Sequence, residues 1–318
     1  MAESTPPTAE RPCPEEEVVW RPPPTQIVLA AGLAGALVGM AVIVVGYWGW
    51  PDESRRLMST GPFVLWTFLI ALNLLLWSLA IVPVTRIVRA RLDALPRAWA
   101  EVIFSSLIFV AFFAAVGLVF NRLVALPPYI PHLTWRVLVI IVAGGSVGLV
   151  AGWGLWLTRN AALELVHSTW SVEQRRTRFR DYRRGVERLL GILAAVIALA
   201  VLVTAAQRRL VIAFTESLED DEVAGYAKYL PLEYPAEFVI VYGLVFTIFL
   251  ALAALPTLAT LQTVGRRLLD VDKPSPQQRQ ELAARYNLEV SPAQVLRTTL
   301  AILAPLLGSV ASLLPEIT

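Results

Sequence analysis

The run LLGILAAVIALAVLVTAA, residues 189–206, carries no charged side chain. A helix across the hydrocarbon core of a bilayer needs about 20 mainly apolar residues. This run therefore reads as the centre of a spanning segment. The residues before it are the opposite. Arg175, Arg176, Arg178, Arg180, Arg183, Arg184 and Arg188 crowd positions 175–188. An apolar stretch with a dense basic flank is the pattern of a membrane helix whose orientation is fixed by charge.

Working outward, runs of the same kind lie at 27–50, 62–84, 100–125, 134–158, 188–211 and 237–262. A seventh, at 294–314, is weaker. It contains Arg297, Thr298, Thr299, Pro305 and Gly308, and reads either as a span or as a re-entrant or interfacial segment. The composition agrees, with 56% hydrophobic and 16% charged residues in a chain of 318. Soluble domains carry about 25% charge. Disorder, a nucleic-acid-binding domain and an ordinary cytosolic enzyme are excluded on that ground. The expected fold is all-α and polytopic, about seven transmembrane helices forming one domain over 27–318. Residues 1–26 are polar and proline-rich, with the acidic run Glu15, Glu16 and Glu17, and are expected to be a disordered tail. No cationic stretch precedes the first apolar run, so a cleaved signal peptide is not expected.

Orientation follows the Lys/Arg bias of short loops. With the N-terminus inside, the inner segments hold four arginines in 83–101, eight in 158–188 and five basic residues in 262–293. The outer segments hold Arg55 and Arg56, Arg122 and Arg136, and Arg208, Arg209 and Lys228. The N-terminus is therefore expected in the cytoplasm, and with seven spans the C-terminus outside. Tyr47, Trp48, Trp50 and Trp135 fall at the outer boundary and Trp99, Trp153 and Trp156 at the inner one, as interfacial aromatics do. Only two of the 27 basic residues are lysines, the usage of a GC-rich genome, so a bacterial cytoplasmic membrane is the expected location. The single cysteine, Cys13, permits no internal disulfide.

Three Ser-x-x-Gln boxes punctuate the inner side: Ser171 to Gln174, Ser275 to Gln278 and Ser291 to Gln294. Each places a serine to accept from the third helical N–H while the glutamine reaches back. Pro276 and Pro292 occupy first helical positions, where a missing N–H is harmless. These boxes divide the inner loops. The fourth span runs to about Ser168, and a new helix starts after Ser171 and enters the fifth span. The two form a helical hairpin projecting into the cytoplasm. A short helix follows Ser275 and ends at Asn287, a residue suited to the left-handed cap.

The candidate functional residues are few. Arg176, Arg180, Arg183, Arg184 and Arg188 are read as a basic face for anionic lipid headgroups or a cytoplasmic partner protein. Topology alone also accounts for them, and no recognition module points to nucleic acid. Ala31, Gly35 and Gly39, and Gly144, Gly148 and Gly152, form small-residue stripes for close helix packing. They serve either packing within the chain or a homo-oligomer, and the two stripes are candidates to pack on each other. Gly144-Gly-Ser-Val-Gly148 matches a nucleophile elbow in letters only. Ser146 lies mid-span, far in depth from His132 and His167. Glu164 and His167 are three apart on one helix but do not make a metal site. The outer acidic loop 207–237 lacks the spacing of a calcium loop. No ionisable residue lies at the centre of a span, where proton relays and ion coupling usually place one. Nor does the seventh span hold a lysine for a retinal linkage.

The expected function is therefore that of a non-enzymatic subunit, sensor or effector, with no cofactor or metal. One alternative is a channel or facilitator with Asn73, Thr204 and Thr247 lining a polar path. A second is a lipid-modifying enzyme, for which Glu164 and His167 are the sole inner-face candidates.

Overall fold

The structure, a computed structural model, describes residues 25–50, 52–92, 99–100, 102–111, 132–216, 235–272 and 274–317. The tail before Thr25 and positions 217–234 of the acidic outer loop lie outside them, as does most of the expected span 100–125, whereas positions 207–216 of that loop are helical and end α6. Every regular element described is helical: α1 Thr25–Val44, α2 Asp52–Met58, α3 Gly61–Leu92, α4 Val102–Ala111, α5 Leu133–His167, α6 Val172–Glu216, α7 Ala236–Asp270, α8 Pro276–Tyr286 and α9 Pro292–Ile317. Six of them (α1, α3, α5, α6, α7 and α9) are long and apolar enough to cross a membrane.

The helices mostly outrun the apolar segments that announce them. α3 continues through Pro83 to Leu92, and α6 extends unbroken for 45 residues. α1 is the exception. It stops at Val44 rather than near residue 50, because Gly46 takes φ +85 and turns the chain into a 3-10 turn at Tyr47–Gly49. Glycine adopts that left-handed value without a Cβ clash.

Small residues set which helices touch. α1 lies on α3 through Gly32, Gly35 and Gly39, which abut Leu75 and Leu79, Ser78 and the Leu74 carbonyl, and Ala71 and Leu74. On its other side α3 lays Trp77 across Gly144 of α5. Gly154 of α5 receives Leu189 of α6 and Val88 of α3. Gly243 of α7 meets Pro305 and Ser309 of α9. α6 is the central element, touching α3, α5, α7 and α9.

The contacts sort the helix ends into two groups. At one end Arg91 stacks over Tyr182 at 4.0 Å, Arg176 reaches Leu268, and Arg183 reaches Asn287 and Gln294. At the other, Arg136 reaches Val42 and Ile43, Arg209 reaches Ser312, and Trp50, Leu57, Phe63, Leu133, Leu210 and Phe214 share one apolar cluster. α1, α6 and α9 run from the first end to the second, and α3, α5 and α7 run back.

Candidate functional site at the arginine-rich end

The first end is organised by its caps. Ser171, Ser275 and Ser291 each accept from the backbone N–H of Gln174, Gln278 and Gln294, and each glutamine accepts from its serine's N–H. α8 therefore starts at Pro276, as its sequence predicts, and it ends at Asn287 with φ 53. Gln294 is also a junction. Its Nε2 donates to Asn287 Oδ1 and Glu187 Oε1, and its Oε1 accepts from Arg183.

The five arginines read as one face do not form one. Arg176 and Arg183 are 4% and 6% exposed. Arg176 donates to the Leu268 carbonyl and pairs with Asp272 at 2.9 Å. Arg183 donates to the Asn287 carbonyl at 2.6 Å and faces Glu187 at 3.7 Å. The reason is periodicity. Positions 176 and 183 are seven apart, two helical turns, and share a side with the buried Phe179, Val186 and Leu190. Arg180 is half-buried. Arg184 and Arg188 are exposed and continue a stripe that includes the exposed Gly191 and Ala195. Arg184 has no partner among the described residues, whereas Arg188 makes contacts of its own.

Cross-helix contacts place these arginines in depth. Leu189 and Val88 both lie on Gly154, so Arg188 and Arg89 are at that level. Arg159 bonds Thr260, and the antiparallel pairing of α5 with α6 puts it opposite Arg184. Gln294 is bonded by Arg183 and Glu187, which sets Arg297, one turn on, near Arg188. Arg89, Arg159, Arg184, Arg188 and Arg297 thus form one belt, with Trp156 of α5 in it under Arg159 at 5.4 Å. Twenty-one residues separate Trp156 from Trp135, as they do Arg188 from Arg209. At 1.5 Å per residue that is about 31 Å along each helix, close to the thickness of a hydrocarbon core, about 30 Å.

Beyond the belt the helices continue. α5 extends eleven residues past Trp156, about 16 Å, and α6 begins sixteen before Arg188, about 24 Å. This projecting part is packed, with Phe179, Tyr182, Leu268, Leu269, Tyr286 and Leu288 buried together. Arg178 stacks over Trp170 at 3.9 Å, and Arg175 donates to the Val166 carbonyl. Tyr286 donates a hydrogen bond to Glu173. Burial first, and the adjacent Glu173 carboxylate second, push the phenol above its ordinary pKa. Leu163, Glu164, Val166, His167 and Arg267 line an open groove on its side. Among the described residues no group of three His, Cys, Asp or Glu is placed to hold a metal.

The other sequence candidates are dispersed. Gly35 and Gly39 pack on α3 as close-approach positions, Gly32 joins them there, and Ala31 is half-buried. Gly144 is filled by Trp77, and among the described residues Gly148 has only an ordinary contact with Phe109 and a Cβ on Gly152 would meet nothing. The two stripes do not pack on each other, because α3 lies between them. Thr204 donates to its own Ala200 carbonyl and pairs with Tyr242. Thr247 accepts from the Leu306 N–H beside Pro305. Asn73 is 3% exposed, with its Oδ1 unbonded among the described residues. Thr204 and Thr247 thus serve separate helix contacts. Sequence reasoning missed Arg136, whose guanidinium caps α1, and Thr257, which donates to the Leu155 carbonyl. A polar side chain one turn inside a span was the only signal for either.

Comparison with protein-family models, with curated proteins and with solved structures finds no match.

Proposed function

We propose that the chain is a seven-span membrane protein of non-enzymatic type, an assembly subunit, sensor or effector. Its arginine-rich end lies in the bacterial cytoplasm and presents a fixed helical platform to a partner protein. The observation that carries this reading is the projecting part beyond the belt, held rigid by Arg176 and Arg183. A loop that only joined spans would need neither the extra turns nor two buried guanidinium groups to fasten them. In this reading α5 and α6 form a cytoplasmic hairpin about the turn 168–171, and α7, α8 and α9 complete the platform.

Seven spans are supported by the position of the helix ends. Arg91, over Tyr182, lies at the arginine-rich end, and Leu133 lies at the other. α4 pairs antiparallel with α5, since Ser106 accepts from Trp153 and Phe109 touches Gly148. In this reading the chain changes ends between α3 and α5, a crossing in addition to its six long helices. The loop charges then favour the arginine-rich end inside.

Site-specific photo-crosslinking in cells tests the platform. A photoreactive residue at the exposed Ala284 on α8 is expected to give a discrete adduct, and one at the exposed Trp135 is not. A strict monomer by native mass spectrometry in mild detergent, with no adduct from Ala284, overturns the reading.

A further inference from the structure

We infer that the belt of Arg89, Arg159, Arg184, Arg188 and Arg297 is a binding surface for anionic phospholipid headgroups. It rests on the reading of the chain as membrane-spanning, and not on the platform or its partner. Three observations converge on it.

The first is depth. Arg184 and Arg188 differ by one turn, about 6 Å of rise. The headgroup layer on each side of a bilayer is about 5–7 Å thick. The contacts of Gly154, Thr260 and Gln294 bring the other three arginines to the same height. The belt is about 31 Å along α5 and α6 from the opposite boundary marked by Trp135 and Arg209.

The second is direction. Arg184 and Arg188 share their stripe of α6 with the exposed Gly191 and Ala195, which lie inside the apolar span. Among the described residues that stripe faces away from the packed side of α6, although Arg188 also makes contacts of its own. Arg89 and Arg297 are exposed as well. The buried Arg176 and Arg183, on the packed side of the same helix, are already engaged by backbone carbonyls.

The third is distribution. The belt draws on α3, α5, α6 and α9. Arginine suits the task because its planar fork matches phosphate oxygens in a bidentate manner. The long side chain also keeps its stem on apolar surface while the guanidinium reaches the headgroups. Trp156 beneath Arg159 adds an interfacial aromatic at that height.

The test is reconstitution of the full chain into bilayer discs of phosphatidylcholine with phosphatidylglycerol. Native mass spectrometry then counts the lipids each variant retains. Arg184→Gln with Arg297→Gln removes two belt charges. Arg266→Gln with Arg267→Gln removes two exposed charges beyond the belt, and so controls for net charge. The native chain is expected to retain phosphatidylglycerol over phosphatidylcholine. The belt variant should lose several-fold of that retention, and the control variant should keep it. Equal losses in the two variants would make the effect one of net charge and overturn the belt, as would native retention without preference for the anionic lipid. A chain that captures no protein partner but retains phosphatidylglycerol removes the platform and leaves the belt standing.

Discussion

Arg176 donates from both Nε and Nη2 to the single carbonyl oxygen of Leu268, at 3.2 and 3.0 Å. Leu268 belongs to the last turn of α7, where carbonyls have no intrahelical donor and the helix dipole is negative. The same device closes two other helices. Arg136 donates to Val42 and Ile43 in the last turn of α1, and Arg183 to Asn287, the cap of α8. Arginine here is thus a C-terminal cap supplied by a neighbouring helix, as well as a topology signal.

Arg176→Gln removes that cap and leaves a carbonyl and part of Asp272 unmatched. An unsatisfied buried acceptor costs about 1–3 kcal/mol. The variant is expected to melt several degrees below the native chain in detergent. Arg184→Gln, on the exposed side of the same helix, is expected to stay within about 0.5 kcal/mol. Thermal unfolding followed by tryptophan emission compares the two, and equal midpoints would show that the Leu268 contact contributes nothing.

Gly144 and Gly152 separate in the same way. A Cβ on Gly144 would be driven into the Trp77 indole, while one on Gly152 would meet open space. Overpacking costs about 1–3 kcal/mol, and alanine in a helix interior gains about 1 kcal/mol over glycine. Gly144→Ala should therefore destabilise and Gly152→Ala should not, in the same unfolding assay. A destabilised Gly152→Ala would reveal a contact made outside the described residues.

These contrasts show what the sequence reveals and what it withholds. Apolar runs and loop charges predict the helices because bilayer thickness and charge placement act on local sequence. The three serine boxes predict helix starts because a cap is made within four residues. The role of a residue on its helix depends on the neighbour. Gly32 meets α3 only because α3 crosses where Leu75 and Leu79 stand. Arg176 and Arg183 are buried because α7 and α8 bring carbonyls to them, and no local pattern marks a carbonyl ninety residues away. Their seven-residue spacing on the apolar side of α6 was the available sign.

Asn73 gives a prediction of opposite sign. Its Oδ1 is buried without a hydrogen-bond partner among the described residues, and an unsatisfied buried acceptor costs about 1–3 kcal/mol. Leucine is of similar size and has no such group. Asn73→Leu is expected to raise the unfolding midpoint or leave it unchanged. A clear loss of stability would show that Asn73 holds a polar partner, and liposome flux with this variant would then test the polar path directly.

The Tyr286 phenol, buried and donating to Glu173, is raised above its ordinary pKa of 10.0. Its neutral form is thus favoured by folding. The stability it contributes is complete below pH 10, the unfolded value, and is lost as pH rises from there through the folded value. Unfolding midpoints between pH 9 and pH 11, about one unit to either side of that value, should fall more steeply for the native chain than for Tyr286→Phe. Parallel curves would remove Tyr286 as the source.

Orientation can be read with the one native thiol. Cys13 precedes α1, whose first residue Thr25 lies at the arginine-rich end, since Gly32 meets Leu79 and the two helices are antiparallel. A membrane-impermeant maleimide on intact cells should leave Cys13 unmodified, and permeabilisation should expose it. A Cys13→Ser chain with Thr318→Cys should show the reverse, because an odd number of spans puts the two termini on opposite sides. Labelling of both thiols from one side would refute seven spans, and labelling of Cys13 in intact cells would refute the inside placement of the belt and the platform together.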